Sequence, residues 1–195
     1  MASSQVAQAE LLADVFEAML TQYVPRSVAV LGCAGGNGFE RISPAVTDRV
    51  VGVDLNPSYV EKAGARFRGR FATLHLLVGD IQTDAITFEP VDMLYAALLF
   101  EYVEVAAVLK KLRALLKRGG VLGTVVQLPS PSTPMVTPSP FVSLAALSSF
   151  MHTVSPSRLR ALAEDNGFEE IASNLATSPP GKHFHVQVFR LHGAC

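Results

Sequence analysis

Apolar positions recur along this chain in two rhythms. Between Gln8 and Tyr23, Leu11, Leu12, Val15, Phe16, Met19 and Leu20 fall at helical spacing, which predicts an amphipathic helix. Ser27–Leu31, Arg49–Val53, Ala72–Val78, Val91–Ala97 and Val121–Gln127 are short runs that are too continuously apolar to alternate, the look of strands buried on both faces. A glycine-rich stretch and a short helical segment ending near Pro44 follow the first of them. Pro57–Phe67 predicts a helix, with Asn56 as its cap and Pro57 at its first position. Glu104–Arg118 predicts another, with Val105, Val108, Leu109, Leu112, Leu115 and Leu116 on one face and Gly119-Gly120 as its stop. A helix from Pro156 to about Asn166, capped by Ser155 and stopped by Gly167, precedes Phe168–Ala176 and His183–Leu191. These last two runs alternate better, as an antiparallel edge pair would.

Strands alternating with helices imply right-handed crossovers and an α/β, doubly wound, mostly parallel sheet with helices on both faces. Such sheets bind ligands at the carboxyl ends of their strands, near the point where strand order reverses. After the first strand comes Gly32-Cys33-Ala34-Gly35-Gly36-Asn37-Gly38, where small residues let a ligand approach the backbone. The start of the following helix is expected to offer free N–H groups. The dinucleotide fingerprint G-x-G-x-x-G is not matched, because Arg41 stands at the last glycine position. Asp54 ends the second strand, where an acid can accept both hydroxyls of a ribose or cap the next helix. Asp80, in Gly79-Asp80-Ile81, ends the third, where it can take an adenine amino group while the isoleucine packs on the ring.

Composition narrows the class. The chain has 195 residues, 49% hydrophobic and 17% charged, which suits one domain with a sizeable core and excludes disorder. A net charge of −1 provides no basic field for nucleic acid. No Asp, Glu, Lys or Arg occurs from Gly119 to Ser157, a run of 39 residues. Its prolines (Pro129, Pro131, Pro134, Pro138 and Pro140) break any helix that could span a membrane. The N-terminal residues lack a signal-peptide pattern, and Cys33 and Cys195 do not make a disulfide framework, so a cytoplasmic protein is expected.

VAVLGCAGGNG, VVGVDLNPSYVEKA, VGDIQ and VDMLYAALLFEYVEVAAVLKKLRALLKRGGVL, taken in series, resemble the successive motifs of the class I (Rossmann-like) S-adenosylmethionine-dependent methyltransferases. The resemblance covers about Ser27 to Gln127 in motif and Ser155 to Leu191 in pattern. It implies a seven-stranded sheet with an antiparallel C-terminal strand, in a single domain of residues 1–195. Within it, 1–26 would be an N-terminal helix, 27–127 the cofactor-binding core, 128–155 a substrate lid or connector, and 156–195 a C-terminal helix and strand pair. By the same resemblance, Gly32, Ala34, Gly36 and Gly38 would line the methionine part of S-adenosylmethionine, Asn37 would also bind the cofactor, and Asp54 would hold the ribose. Leu55, Asp80 and Ile81 would flank the adenine, and Ala96, Ala97 and Leu98 would stand at the mouth of the fourth strand. There are two departures. Val30 occupies the position of a customary acid, and Ala34 that of a customary glycine.

Methyl transfer from a sulfonium needs in-line proximity more than acid–base help. A base is required only for a hydroxyl or protonated-amine acceptor, for which Tyr95, Glu101, Tyr102 and His152 are the candidates. Glu101 and Tyr102 also read as the beginning of the following helix, and His152 as a surface or core histidine. His183 and His185 share a strand face, but no third metal ligand has readable spacing, so no metal is expected. Cys33 reads as a small packing residue, and Arg66, Arg68 and Arg70 as a solvated helix end. Leu128–Ser155, with Met135, Phe141, Phe150 and Met151, reads as a roof over an apolar acceptor, a homodimer surface or a plain connector. Three functions follow: a methyltransferase for a small, neutral or apolar acceptor; a methyltransferase-like binding or regulatory protein without catalysis; and an NAD(P)-dependent reductase.

Overall fold

The computed structural model describes residues 4–129, 153–179 and 181–193. The expected lid therefore falls mostly outside the described residues, together with Phe141, Phe150 and His152. Helix α1 (Ser4–Tyr23) precedes strands β1 (Ser27–Leu31) and β2 (Arg49–Asp54), helix α2 (Pro57–Phe67), and strands β3 (Thr73–Val78) and β4 (Val91–Ala97). Helix α3 (Val105–Leu115), strand β5 (Leu116–Gln127), helix α4 (Pro156–Asp165), and strands β6 (Phe168–Ser178) and β7 (Lys182–Leu191) follow. The sheet has seven strands in the order β3-β2-β1-β4-β5-β7-β6. β1 to β5 pair in parallel, and β7 runs antiparallel to both β5 and β6. Strand order reverses between β1 and β4, so the ligand crevice of this topology lies outside their carboxyl ends.

Each face of the sheet carries its own core. On one, Phe16 and Met19 of α1 and Phe67 of α2 pack with Val28, Val30, Met93 and Tyr95. On the other, Val108, Leu109 and Leu112 of α3 and Leu159 of α4 pack with Leu31, Val53, Leu94 and Val126. The caps sit where the sequence places them: Asn56 accepts from Ser58 N–H, and Ser155 accepts from Arg158 N–H. Among the described residues, no helix is long and apolar enough to cross a membrane.

Three local expectations give way to tertiary packing. The first crossover contains a single 3-10 turn, Phe39–Arg41, because buried Phe39 and Ile42 anchor it directly against α1 and α2. Helix α3 stops at Leu115 rather than at the glycine pair: Leu116 adopts extended geometry, is buried, and pairs with Val91. Gly119, at φ 72°, and Gly120 then absorb a register shift between β4 and β5. Phe100–Tyr102 forms a 3-10 turn of its own instead of opening α3.

Candidate cofactor and acceptor site

The carboxyl ends of β1 and β2 are joined by hydrogen bonds. Gly32 N–H and Cys33 N–H both donate to the Val53 carbonyl, at 2.8 and 3.1 Å. Asp54 accepts from Ala34 N–H at Oδ2 (2.7 Å) and from Asn56 N–H at Oδ1 (2.9 Å). The carboxylate thus holds the glycine-rich loop and the entry to α2 together. Each of its oxygens keeps a further lone pair for a hydroxyl. Ala34 takes the left-handed conformation, φ 47°, that the customary glycine would take without strain.

The loop's glycines divide by role. A Cβ on Gly36 would lie 2.7 Å from the Phe67 ring, and one on Gly38 would lie 3.1 Å from Phe16, so both seat the loop on helices. A Cβ on Gly32 would meet nothing within 4 Å, which makes Gly32 the loop position open to a ligand. The expectation of free N–H groups at a helix start is not met. The 3-10 turn supplies no helix of useful length, Gly36 and Asn37 donate to the Cys33 carbonyl, and Gly38 donates to Glu40. Cys33 is buried beneath the loop. Burial and the Asp54 charge push its thiol up to about 12, so it packs and does not react.

Arg66 and Arg70 are more than a solvated helix end. Arg66 donates to the Gly35 carbonyl at 2.6 Å, and Arg70 to those of Glu40 and Ile42 at 2.9 and 3.3 Å, clamping the loop from α2. Their spacing, with one residue at the end of α2 and the next three positions beyond Phe67, was the only sequence signal for this clamp.

Leu55, beside Asp54, is 61% exposed. Ile81 is buried at the end of β3, next to Asp80, which accepts from Gln82 N–H at 2.7 Å. Lys111 of α3 donates to the Gln82 and Asp84 carbonyls and so fixes this loop. The open Gly32, the ribose-competent Asp54 and the apolar Leu55 suit a nucleoside cofactor at the tips of β1 to β3. Val30, at the customary acid position, lies in the core with Phe16 and Tyr95.

At the mouth of β4, Ala96 is buried and Ala97 half-buried, and Leu98 is left-handed at φ 55° while its N–H bonds the Val125 carbonyl. Among the described residues, two of the three non-glycine residues with positive φ, Ala34 and Leu98, therefore flank the crevice between β1 and β4. The sequence carries no sign of this strain. The base candidates separate sharply. Tyr95 is a core residue: its ring stacks on Phe16 with centroids 4.6 Å apart, its hydroxyl donates to the Leu12 carbonyl at 2.8 Å, and burial raises its pKa. Tyr102 is half-buried, with its pKa raised by burial and by the neighbouring Glu101 charge. Glu101 is 1% exposed, and its Oε1 accepts from Gln127 N–H at 2.7 Å at the end of β5. Burial pushes its carboxyl up to about 7. His183 and His185 meet Thr177 and Ser173 across the β6–β7 pair.

Residues 28–120 match the model of a methyltransferase domain. No curated protein sequence matches the chain. Among solved structures, the N-methyltransferase NodS from Bradyrhizobium japonicum WM9 in complex with S-adenosyl-L-homocysteine is 16% identical, with a TM-score of 0.73 over 95% of this chain and 87% of that one. Magnesium protoporphyrin IX methyltransferase from Synechocystis PCC 6803, also with S-adenosylhomocysteine bound, is 15% identical, with a TM-score of 0.70 over 95% and 84%. The [4+2]-cyclase SpnF is 11% identical, with a TM-score of 0.72 over 93% and 81%. The match over residues 28–120 covers just under half of the chain, and the seven-stranded order β3-β2-β1-β4-β5-β7-β6 gives the whole chain the fold of these class I S-adenosylmethionine-dependent methyltransferase structures.

Proposed function

We propose that the protein transfers a methyl group from S-adenosylmethionine to a small, neutral or apolar acceptor. The observation that carries this reading is Asp54, a half-buried carboxylate held rigid by Ala34 and Asn56 at the tip of β2, with exposed Leu55 beside it. When bound, S-adenosylmethionine supplies an electrophilic methyl group on a sulfonium. Asp54 would hold the ribose hydroxyls through its remaining lone pairs, with Leu55, Asp80 and Ile81 flanking the adenine. Gly32 would let the cofactor's amino-acid end approach the backbone, with Ala97 and Leu98 near the reacting carbon. Because Asp54 and the loop are already bound to each other, little ordering remains for the cofactor to impose.

The acceptor class rests on the charge-free run from Gly119 to Ser157, which begins in β5 and continues past its mouth. The run offers no charge to bind a polyanion and suits an apolar molecule; residues 130–152 of it lie outside the described residues. The same reading makes the partner a small molecule rather than nucleic acid or a membrane, leaves room for a homodimer through residues 128–155, and puts the protein in the cytoplasm.

Calorimetry with S-adenosylmethionine, S-adenosylhomocysteine and NAD(P) tests the cofactor, and turnover to S-adenosylhomocysteine across an acceptor library tests the reaction. The first two ligands should bind and NAD(P) should not; preference for NAD(P) would make the protein a reductase. Turnover is needed because SpnF is described as a [4+2]-cyclase on a similar fold. Binding without turnover would favour the regulatory reading, which Val30 supports by putting an apolar core residue of β1 where the customary acid would stand.

A further inference from the structure

A carboxylate buried away from water costs several kcal/mol unless it is fully hydrogen-bonded or paired with a cation. Glu101 meets neither condition among the described residues. Its Oε1 takes Gln127 N–H, while Oε2 is buried with no hydrogen-bond partner. No lysine, arginine or histidine pairs with it among the described ion pairs. The bond to Gln127 has a structural purpose: the chain leaves β4 at Leu98, and Glu101 satisfies the N–H that β5 presents next. A glutamine would cap that N–H equally well and at lower desolvation cost. The second oxygen and the charge are surplus to the cap.

We propose that Glu101 is a catalytic residue: fixed through Oε1 at the adjoining mouths of β4 and β5, it directs Oε2 to the acceptor and takes the acceptor's proton. This rests on the methyl-transfer reading above and refines its substrate. The acceptor is an otherwise apolar molecule whose reacting end is an amine or hydroxyl. As the acceptor atom bonds to the methyl carbon, the carbon–sulfur bond breaks with its electron pair left on sulfur, and the N–H or O–H proton passes to Oε2. Charge is thus moved, and none is left stranded in the apolar pocket. Among the described residues, the titratable group beside Glu101 is Tyr102, β5 presents uncharged Gln127, and the buried residues of α4, Leu159 and Ala163, are apolar. A carboxyl titrating at about 7 is matched to proton exchange with such an acceptor near neutrality.

The test compares two probes by calorimetry. Sinefungin carries an amino group where S-adenosylmethionine carries its methyl sulfonium, and S-adenosylhomocysteine carries neither. In the wild-type protein, the preference for sinefungin should grow up to about tenfold from about pH 6 to about pH 8, as Glu101 ionises. Glu101→Gln should remove that pH dependence and lower the preference about tenfold at the higher pH, while S-adenosylhomocysteine binds as before. A pH-independent preference in the wild type overturns the assignment without needing the variant to fold. If the wild type binds neither probe, the methyl-transfer reading itself fails, which is a different outcome.

Discussion

Asp54 and Glu101 stand at the same edge of the sheet and are held in opposite ways. Asp54 is half-buried at the tip of β2, with a backbone N–H on each oxygen. Glu101 is almost fully buried beyond β4, with one oxygen bound and the other without a partner among the described residues. The first arrangement lowers the cost of a charge and uses it to stiffen a loop. The second keeps a charge where it is expensive, which local stability alone does not favour. On the proposed reading, backbone hydrogen bonds and helix clamps organise the cofactor half of the edge, and a proton-exchanging group organises the acceptor half.

The contrast can be broken at its strongest points first. Gly36→Val forces a side chain against the Phe67 ring at φ 78° and should cost about 3–4 kcal/mol in chemical denaturation, because the loop loses its seat on α2. Glu101→Gln tests the other half through pH. With its carboxyl raised from 4.5 to about 7, the folded state binds that proton more tightly than the unfolded state. Its contribution to stability therefore falls as pH rises between those values and is constant above them, by about 3 kcal/mol in all. Unfolding free energies measured across this range should show the variant gaining on the wild type by about that amount, and parallel curves would remove the buried charge from the account. Arg66→Ala removes the bond to the Gly35 carbonyl and should weaken S-adenosylhomocysteine several-fold in calorimetry, with little change in stability. Ala34→Gly, the mildest change, relieves a left-handed alanine and loosens the unfolded chain; thermal melts should show a net gain of about 0.5 kcal/mol.

Much of the frame can be read in the residues. β1, β2 and β4 announce themselves as apolar runs because both of their faces are covered, and Asn56 and Ser155 cap their helices through a local geometry that the sequence specifies. Asp54 and Asp80 are legible because the ends of parallel strands are where such folds bind ligands. What stays hidden depends on partners distant in the chain. Leu116 continues the helical rhythm of α3, yet its pairing with Val91 turns it into sheet. Arg66 and Arg70 look solvated until the glycine loop, some 30 residues earlier, brings its carbonyls to them. Glu101 reads as an ordinary acid at a helix start, since nothing in FEYVE reveals that Gln127 N–H lies beside it. Strain at Ala34 and Leu98 belongs to the assembled crevice and leaves no mark in composition.

The division of the edge into a cofactor half and an acceptor half is tested most directly by S-adenosylhomocysteine isotherms for Asp54→Ala and Glu101→Gln against the wild type. Losing Asp54 removes the ribose contacts and the pin on Ala34, and affinity should fall by at least about a hundredfold, while losing the Glu101 charge should change it by less than about threefold. Unchanged affinity in Asp54→Ala, or an equal loss in both variants, would contradict the account.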